Sequence, residues 1–273
     1  MTQTTGERDY VLGTHDEELL RLGLQHRVWR PRALDAWRRA GFTVGQTLID
    51  VGCGPGYAAV DLAEIVGPSG RIIALDRSQR FLAALQSSAR RRELENISVH
   101  QLDLDTDELP PMRADGAWVR WVFGFLTRPR DLVSRLGAAL RPGAALVVHE
   151  YFDYAAWRFT RRSPLFEEFV ATVIRSWRAT GGEPNIGPAL SVWLEESGFR
   201  INSLRPIVDV ISPSDFAWQW PKAFVEVGLR RLIELGDIPE ERAAAIRAEF
   251  AALEATPHTR MITPAVLEII ATR

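Results

Sequence analysis

The 273-residue chain reads as an α/β protein, a mostly parallel sheet with helices on both faces and helical insertions over one edge. Three observations predict this. Short apolar runs end in an acid at Asp50, Asp76 and Asp103, with helical patterns between them. Glycines crowd the end of the first run, at Gly52, Gly54 and Gly56. A hydrophobic content of 46% suffices for one substantial core plus a lid or subdomain.

Taken in order, the elements begin with a capping-box spacing, Thr14 to Glu17, which starts a helix running to Trp29. Leu22, His26 and Trp29 share one side of it. Pro31 suits the first turn of a second helix, 31–40, which Gly41 ends. The first strand carries Leu48, Ile49 and Val51, and a helix from Tyr57 would aim its free N–H groups over the glycine loop. Residues 67–70 (Gly, Pro, Ser, Gly) make a turn into strand 71–75, closed by Asp76. Ser78 caps a helix carrying Phe81, Leu82, Leu85 and Ala89. Strands follow at 97–102, at 115–119 and, after an Arg141, Pro142, Gly143 turn, at 144–148.

Beyond these, Phe166, Phe169, Val170, Val173, Ile174 and Trp177 form a helical stripe that reads mainly as core. A helix at 189–197 leads into a sixth strand, 199–210, and a last strand spans 260–271. Between those strands lie two more helices, one carrying Phe224, Val225, Leu229, Leu232 and Ile233, the other starting at Pro239.

The loop narrows the choice of ligand. A dinucleotide fingerprint, G-x-G-x-x-G, would need its third glycine where Tyr57 stands. The pattern Asp50-x-Gly52-x-Gly54-x-Gly56 instead resembles the first motif of class I S-adenosylmethionine (SAM) dependent methyltransferases. No Lys or Arg occurs between residues 50 and 66, which suits a sulfonium cofactor better than a pyrophosphate. Asp76 lies 24 residues after Gly52, near the ~20 expected for a ribose-binding acid. Asp103 with Leu104 resembles the family's adenine-contacting position. The resemblance covers roughly residues 40–150 and implies a Rossmann-like seven-stranded sheet with its last strand antiparallel. It also implies a helical cover over cofactor and substrate at 1–46 and a SAM-binding core at 47–273, with insertions at about 151–190 and 211–259.

On this resemblance SAM is the cofactor. Its expected contacts are Tyr10, Gln25, Asp50, Gly52, Gly54, Gly56, Asp76, Arg77, Asp103, Leu104 and Arg120. For Tyr10 and Gln25, plain packing of the N-terminal helix is the alternative. Aromatic residues supply the clue to the acceptor. Nine tryptophans are many for this length, and Trp121, Trp157 and Trp218, with Glu150, fall where the fold places a substrate pocket. Such walls favour a small aromatic or apolar acceptor, or an amine held by cation–π contact. His149 is the expected base, since its ordinary pKa lies nearest neutrality, with Tyr151 and Tyr154 orienting the acceptor. Because strand residues alternate, His149 and Glu150 cannot both face one pocket if the strand continues that far.

The remaining composition excludes rather than assigns. A net charge of −2 argues against nucleic acid or an anionic membrane as partner. The five histidines form no metal spacing. Cys53 is the single cysteine, no signal peptide is visible and no apolar run is long enough to span a membrane, so a cytoplasmic protein is expected. The apolar insert at 211–259 reads as a lid over the substrate, with a plain stabilising subdomain or a homodimer surface as the alternatives. A pyridine-nucleotide oxidoreductase and a SAM-binding protein that transfers no methyl are the competing functions.

Overall fold

The computed structural model describes residues 16–110 and 112–273. The first helix, α1 (Asp16–Ala40), is continuous through Pro31. Two helices meeting at Pro31 were expected, and the difference has a packing cause. An internal proline costs about 3 kcal/mol through its missing N–H and its ring. Here Trp29, Ala33, Ala36 and Trp37 are all buried on the inner face. Burying side chains of this size offsets that cost, at about 25 cal/mol per Å².

The alternating core then follows as β1 (Thr47–Val51), α2 (Tyr57–Val66), β2 (Arg71–Asp76), α3 (Gln79–Arg91), β3 (Ile97–Gln101), β4 (Ala114–Arg120), α4 (Pro129–Ala139) and β5 (Leu140–Asp153). Ser78 caps α3 as its sequence predicts, its hydroxyl accepting from the Phe81 N–H. β5 is longer than the 144–148 strand expected. The Arg141 to Gly143 turn is absorbed as a register shift against β4, with Gly143 in the left-handed region at φ 84°. At its other end the strand continues to Asp153, which makes the alternation rule apply to His149 and Glu150.

The second half contains β6 (Arg158–Phe159), α5 (Pro164–Ala179), α6 (Gly187–Glu196), β7 (Arg200–Ile207), β8 (Val210–Ile211), α7 (Gln219–Glu234), α8 (Glu240–Ala255), β9 (Met261–Ile262) and β10 (Ala265–Thr272). The main sheet has seven strands in the order β3-β2-β1-β4-β5-β10-β7. β1 to β5 pair in parallel, and β10 runs antiparallel to both β5 and β7. Helices α1, α2 and α3 cover one face, α4 and α6 the other. This is the Rossmann-like sheet expected from the sequence.

The expected sixth and last strands are each broken in two. Their outer pieces, β8 and β9, join β6 in a separate three-stranded antiparallel sheet. That small sheet and helices α5, α7 and α8 enclose an aromatic cluster that includes Trp157, Phe159, Phe166, Phe169, Trp218 and Phe250. The two insertions thus fold together as one helical subdomain, and α1 also packs on it through α7.

Candidate active site

The direction of chain progression reverses between β1 and β4, so the loops after these strands diverge and leave a crevice at their carboxyl ends. A cleft partly open to solvent occupies that crevice. It is lined by the glycine loop, by Asp76 and Arg77 after β2, by Asp103 and Leu104 after β3, and by Arg120, Trp121 and Val122 after β4. Gln25 and Leu22 of α1 close it from above.

The three glycines have different tasks. All have positive φ, which L side chains rarely adopt. A Cβ on Gly52 would lie 2.4 Å from Val122 Cγ2, and one on Gly56 2.2 Å from Leu85 Cδ1, so those two allow close packing. A Cβ on Gly54 would meet no protein atom within 4 Å. Gly54 lines the cleft, so its missing side chain keeps room for a ligand.

Asp76 is held by two backbone donors, Gly54 N–H and Ser78 N–H, each at 2.8 Å. Burial pushes its pKa upward. Its carboxylate is therefore aimed by the loop rather than simply left at a strand end. Asp103 accepts from Asp105 N–H through Oδ1, while its own N–H donates to Asp107.

Two ionisable groups at the floor of the cleft, the buried Asp50 and the half-buried Arg120, are incompletely satisfied. Asp50 takes the Ala59 N–H of α2, yet its Oδ2 has no partner, and burial raises its pKa to about 7. Arg120 Nη2 donates to His26 Nδ1 at 3.2 Å, leaving Nη1 without a partner, and burial lowers its pKa to about 10. Since Arg can only donate, His26 Nδ1 must accept. His26 Nε2–H then donates to Asp61 Oδ2 at 3.0 Å, and Asp61 also takes Arg30 Nε–H at 2.7 Å. Burial holds the His26 pKa below its ordinary value, consistent with a neutral ring. The chain Asp61, His26, Arg120 thus fixes a guanidinium in the cleft with one N–H edge unclaimed. An amino acid end, with its ammonium and carboxylate, matches an unpartnered carboxylate oxygen and an unpartnered guanidinium nitrogen. The residues present therefore fit SAM.

A second pocket adjoins the first and shares Gln25, Trp121 and Phe125 with it. Its walls are aromatic: Trp121, Phe125, Tyr151, Tyr154, Trp177 and Phe224. Trp121 stacks on Tyr151, with ring centroids 5.5 Å apart and planes at 20°. Trp121 adopts φ 53°, an unusual backbone for a bulky residue. The neighbouring bonds hold it there. Its own N–H donates to His149 O at 3.0 Å, and the next two N–H groups, of Val122 and Phe123, donate to Glu150 Oε1 at 2.6 and 2.7 Å. Such strain persists only where surroundings over-determine it, and it often marks a working site.

Several expected site residues are placed elsewhere. His149 lines neither cavity and is fully buried between Trp29 and Trp118. Its Nε2 meets Glu268 Oε2 at 3.2 Å, Glu268 being also bonded by Arg39, and burial lowers the His149 pKa. Glu150, on the opposite sheet face, braces the Trp121 turn instead of touching a substrate cavity, and burial raises its pKa to about 8. Trp157 and Trp218 lie in the lid core, donating to Met261 Sδ and Glu254 Oε1 respectively. Tyr10 lies outside the described residues. Trp177, Phe224, Arg21 and Arg231 line the second cavity without having been anticipated. For Trp177 and Phe224 the only local signal was membership of helical apolar stripes, which reads as core, and the two arginines carried none.

No group of three or more His, Cys, Asp or Glu side chains able to hold a metal ion occurs among the described residues. Nor is any described helix long and apolar enough to cross a membrane.

Residues 48–143 match the family model described as a methyltransferase domain. The chain is 28% identical over 179 residues to a demethylmenaquinone methyltransferase of Staphylococcus aureus, covering 64% of this chain and 68% of that protein. It is 34% identical over 106 residues to an uncharacterized 37.1 kDa transposon protein of Streptomyces fradiae; the match takes in 39% of this chain and only 30% of that relative's length. Among solved structures, a SAM-dependent methyltransferase from Mesorhizobium loti superposes with a TM-score of 0.55 at 19% identity, over 92% of this chain and all of that one. A structure described as the [4+2]-cyclase SpnF superposes with a TM-score of 0.54 at 20% identity, over 89% of this chain and 80% of that one.

Proposed function

We propose that the chain is a class I SAM-dependent methyltransferase that transfers the methyl group of SAM to a small aromatic or apolar acceptor seated under the lid. One observation carries this reading: the cofactor cleft and an aromatic-walled cavity meet at Gln25, Trp121 and Phe125. The name of the Staphylococcus aureus relative supports a quinone-type acceptor. When bound, SAM supplies an electrophilic methyl whose bond to sulfur breaks with the electron pair kept by sulfur. The protein's task is then chiefly to set the acceptor's lone pair in line with that methyl and to keep water out.

Asp76 holds the ribose hydroxyls in this reading, Asp103 and Leu104 flank the adenine, and Asp50 and Arg120 hold the amino acid end. Arg77 lies beside Asp76 on the same wall, and Gln25 stands between cofactor and acceptor. Tyr151 and Tyr154 orient the acceptor. Burial raises the Tyr154 pKa, so its phenol stays protonated and serves as a donor rather than a base. No His, Asp or Glu lines the acceptor cavity among the described residues. Rate therefore comes from positioning an acceptor whose nucleophile is already available, and any proton it carries leaves to solvent. His149 is not assigned the base role.

The test is incubation with SAM and a panel of quinols, phenols and aryl amines, with mass detection of S-adenosylhomocysteine and of the methylated product. Product carrying 14 added mass units from one panel member is the expected result. Calorimetric SAM binding with no turnover on any acceptor would favour a SAM-binding protein that transfers no methyl, and the [4+2]-cyclase of the same fold makes that the outcome to watch.

A further inference from the structure

The acceptor cavity is apolar around its walls but cationic at one place. Among its thirteen described lining residues two are arginines, Arg21 and Arg231, and none is Asp or Glu. The two arginines are not equivalent. Arg21 is bonded by both carboxylate oxygens of Glu18, at 2.7 and 2.6 Å, and by Gln25 Oε1 at 2.9 Å. Its charge is balanced inside the protein. Arg231 donates through Nη1 to Glu234 at 3.1 Å, while its Nε–H is buried and has no partner. Leaving a buried charged donor unsatisfied costs more than an ordinary hydrogen bond returns. The Nε edge of a guanidinium also suits planar anions.

Resting on the methyltransferase reading, we propose that Arg231 selects acceptors that pair an aromatic body with an anionic group, a carboxylate above all. The aromatic part fits between Trp121, Tyr151, Trp177 and Phe224, and the anion takes the Arg231 Nε–H. A protonated amine is disfavoured by the same feature, because Arg231 Nε–H offers it only another donor and no carboxylate among the described lining residues is there to receive it. The rings alone would have welcomed an ammonium through cation–π contact, so the arginines decide between the two.

The experiment compares 3-phenylpropionate, 3-phenylpropionamide and 3-phenylpropylamine by calorimetric titration of the full chain, with and without S-adenosylhomocysteine. These probes share size and shape and differ in charge. The carboxylate is expected to bind at least tenfold tighter than the amide, with the amine weakest. Arg231→Gln should erase the advantage of the carboxylate while leaving affinity for the amide within about twofold, and Arg231→Lys should restore part of it. Equal binding of carboxylate and amide, a preference for the amine, or an undiminished carboxylate preference in Arg231→Gln would overturn the proposal. Unchanged S-adenosylhomocysteine affinity in both variants shows that they fold. Failure of the wild-type chain to bind that compound would count against the methyltransferase reading alone, because the probe comparison without cofactor still reports on Arg231.

Discussion

The two cavities share a wall yet are built by opposite means. The cofactor cleft is made of backbone: glycine φ values, strand-end turns and N–H groups hold its acids, and every lining element except α1 falls between residues 47 and 126. The acceptor cavity is made of side chains, brought from α1, the β4 loop, the end of β5, α5 and α7, over a span from Arg21 to Leu232. A cleft built by local backbone should be sensitive to single-atom changes and indifferent to the lid. A cavity built from distant side chains should tolerate truncation at a graded cost, felt only by the acceptor.

Gly54 offers the largest effect. Gly54→Val should lower SAM affinity by about a hundredfold or more, since its side chain would fill the cleft. The melting temperature should fall modestly, through φ strain alone, as no protein atom stands in the way. Gly56→Val should do the reverse in proportion, meeting Leu85 and costing about 1–3 kcal/mol of stability or more. Equal melting losses in the two variants would erase the distinction drawn between these glycines.

Asp76 comes next. Asp76→Asn keeps an acceptor for one of the Gly54 and Ser78 N–H groups but loses the charge, and SAM affinity should drop about ten- to a hundredfold by calorimetry. Unchanged affinity would remove the ribose role. On the acceptor side, Trp177→Ala should raise the acceptor KM about tenfold while the SAM Kd stays within twofold, because Trp177 lines only the second cavity. Trp121→Ala should disturb both constants. If Trp177→Ala weakened SAM as much as acceptor, the two cavities would not be separate sites.

The pH response of SAM binding is smaller and has a defined sign. The Asp50 pKa is raised to about 7 in the free protein, and a cationic ammonium prefers its ionised form. Binding below pH 7 must therefore expel a proton, so affinity should rise with pH to about 7 and flatten above it, by at most tenfold per unit. Titrations from pH 6 to 8.5 in buffers of different ionisation enthalpy would reveal the released proton. Asp50→Asn should abolish the release over this range; a persisting slope would transfer it to another group.

The smallest catalytic effect is expected at His149. His149→Gln should cost about 1–3 kcal/mol of stability through the Glu268 contact and leave turnover within a few-fold. A loss of 10²–10⁴ in turnover with a normal fold would instead restore the histidine as a base.

Much of the cofactor half was legible before any coordinates. Glycine where φ is positive, an acid at the end of each of three strands, and Ser78 as a cap are local demands of the backbone, and local demands leave local marks. The expected lining residues Gln25, Asp50, Gly52, Gly54, Asp76, Arg77, Asp103, Leu104 and Arg120 all border the cleft, and Gly56 packs beneath the loop on Leu85. What could not be read there was the partner of each charge. Nothing along the chain relates His26 to both Asp61 and Arg120, because α1 reaches them only by folding across the sheet.

By itself, then, the amino-acid order determined the core strands and helices and the glycine loop between them, since each follows from periodicity and backbone geometry over a few neighbouring residues, while the cofactor's class came through the loop's resemblance to a known family. Tertiary structure alone decided which aromatic residues wall the acceptor and which merely fill the lid. From the sequence Trp177 reads as core and Trp218 as a pocket residue, yet Trp177 borders the cavity and Trp218 is sealed against α8. Burial is a property of what packs against a residue from far along the chain. The same holds for His149, whose place at a strand's end suggested chemistry until α1 and β10 closed over it.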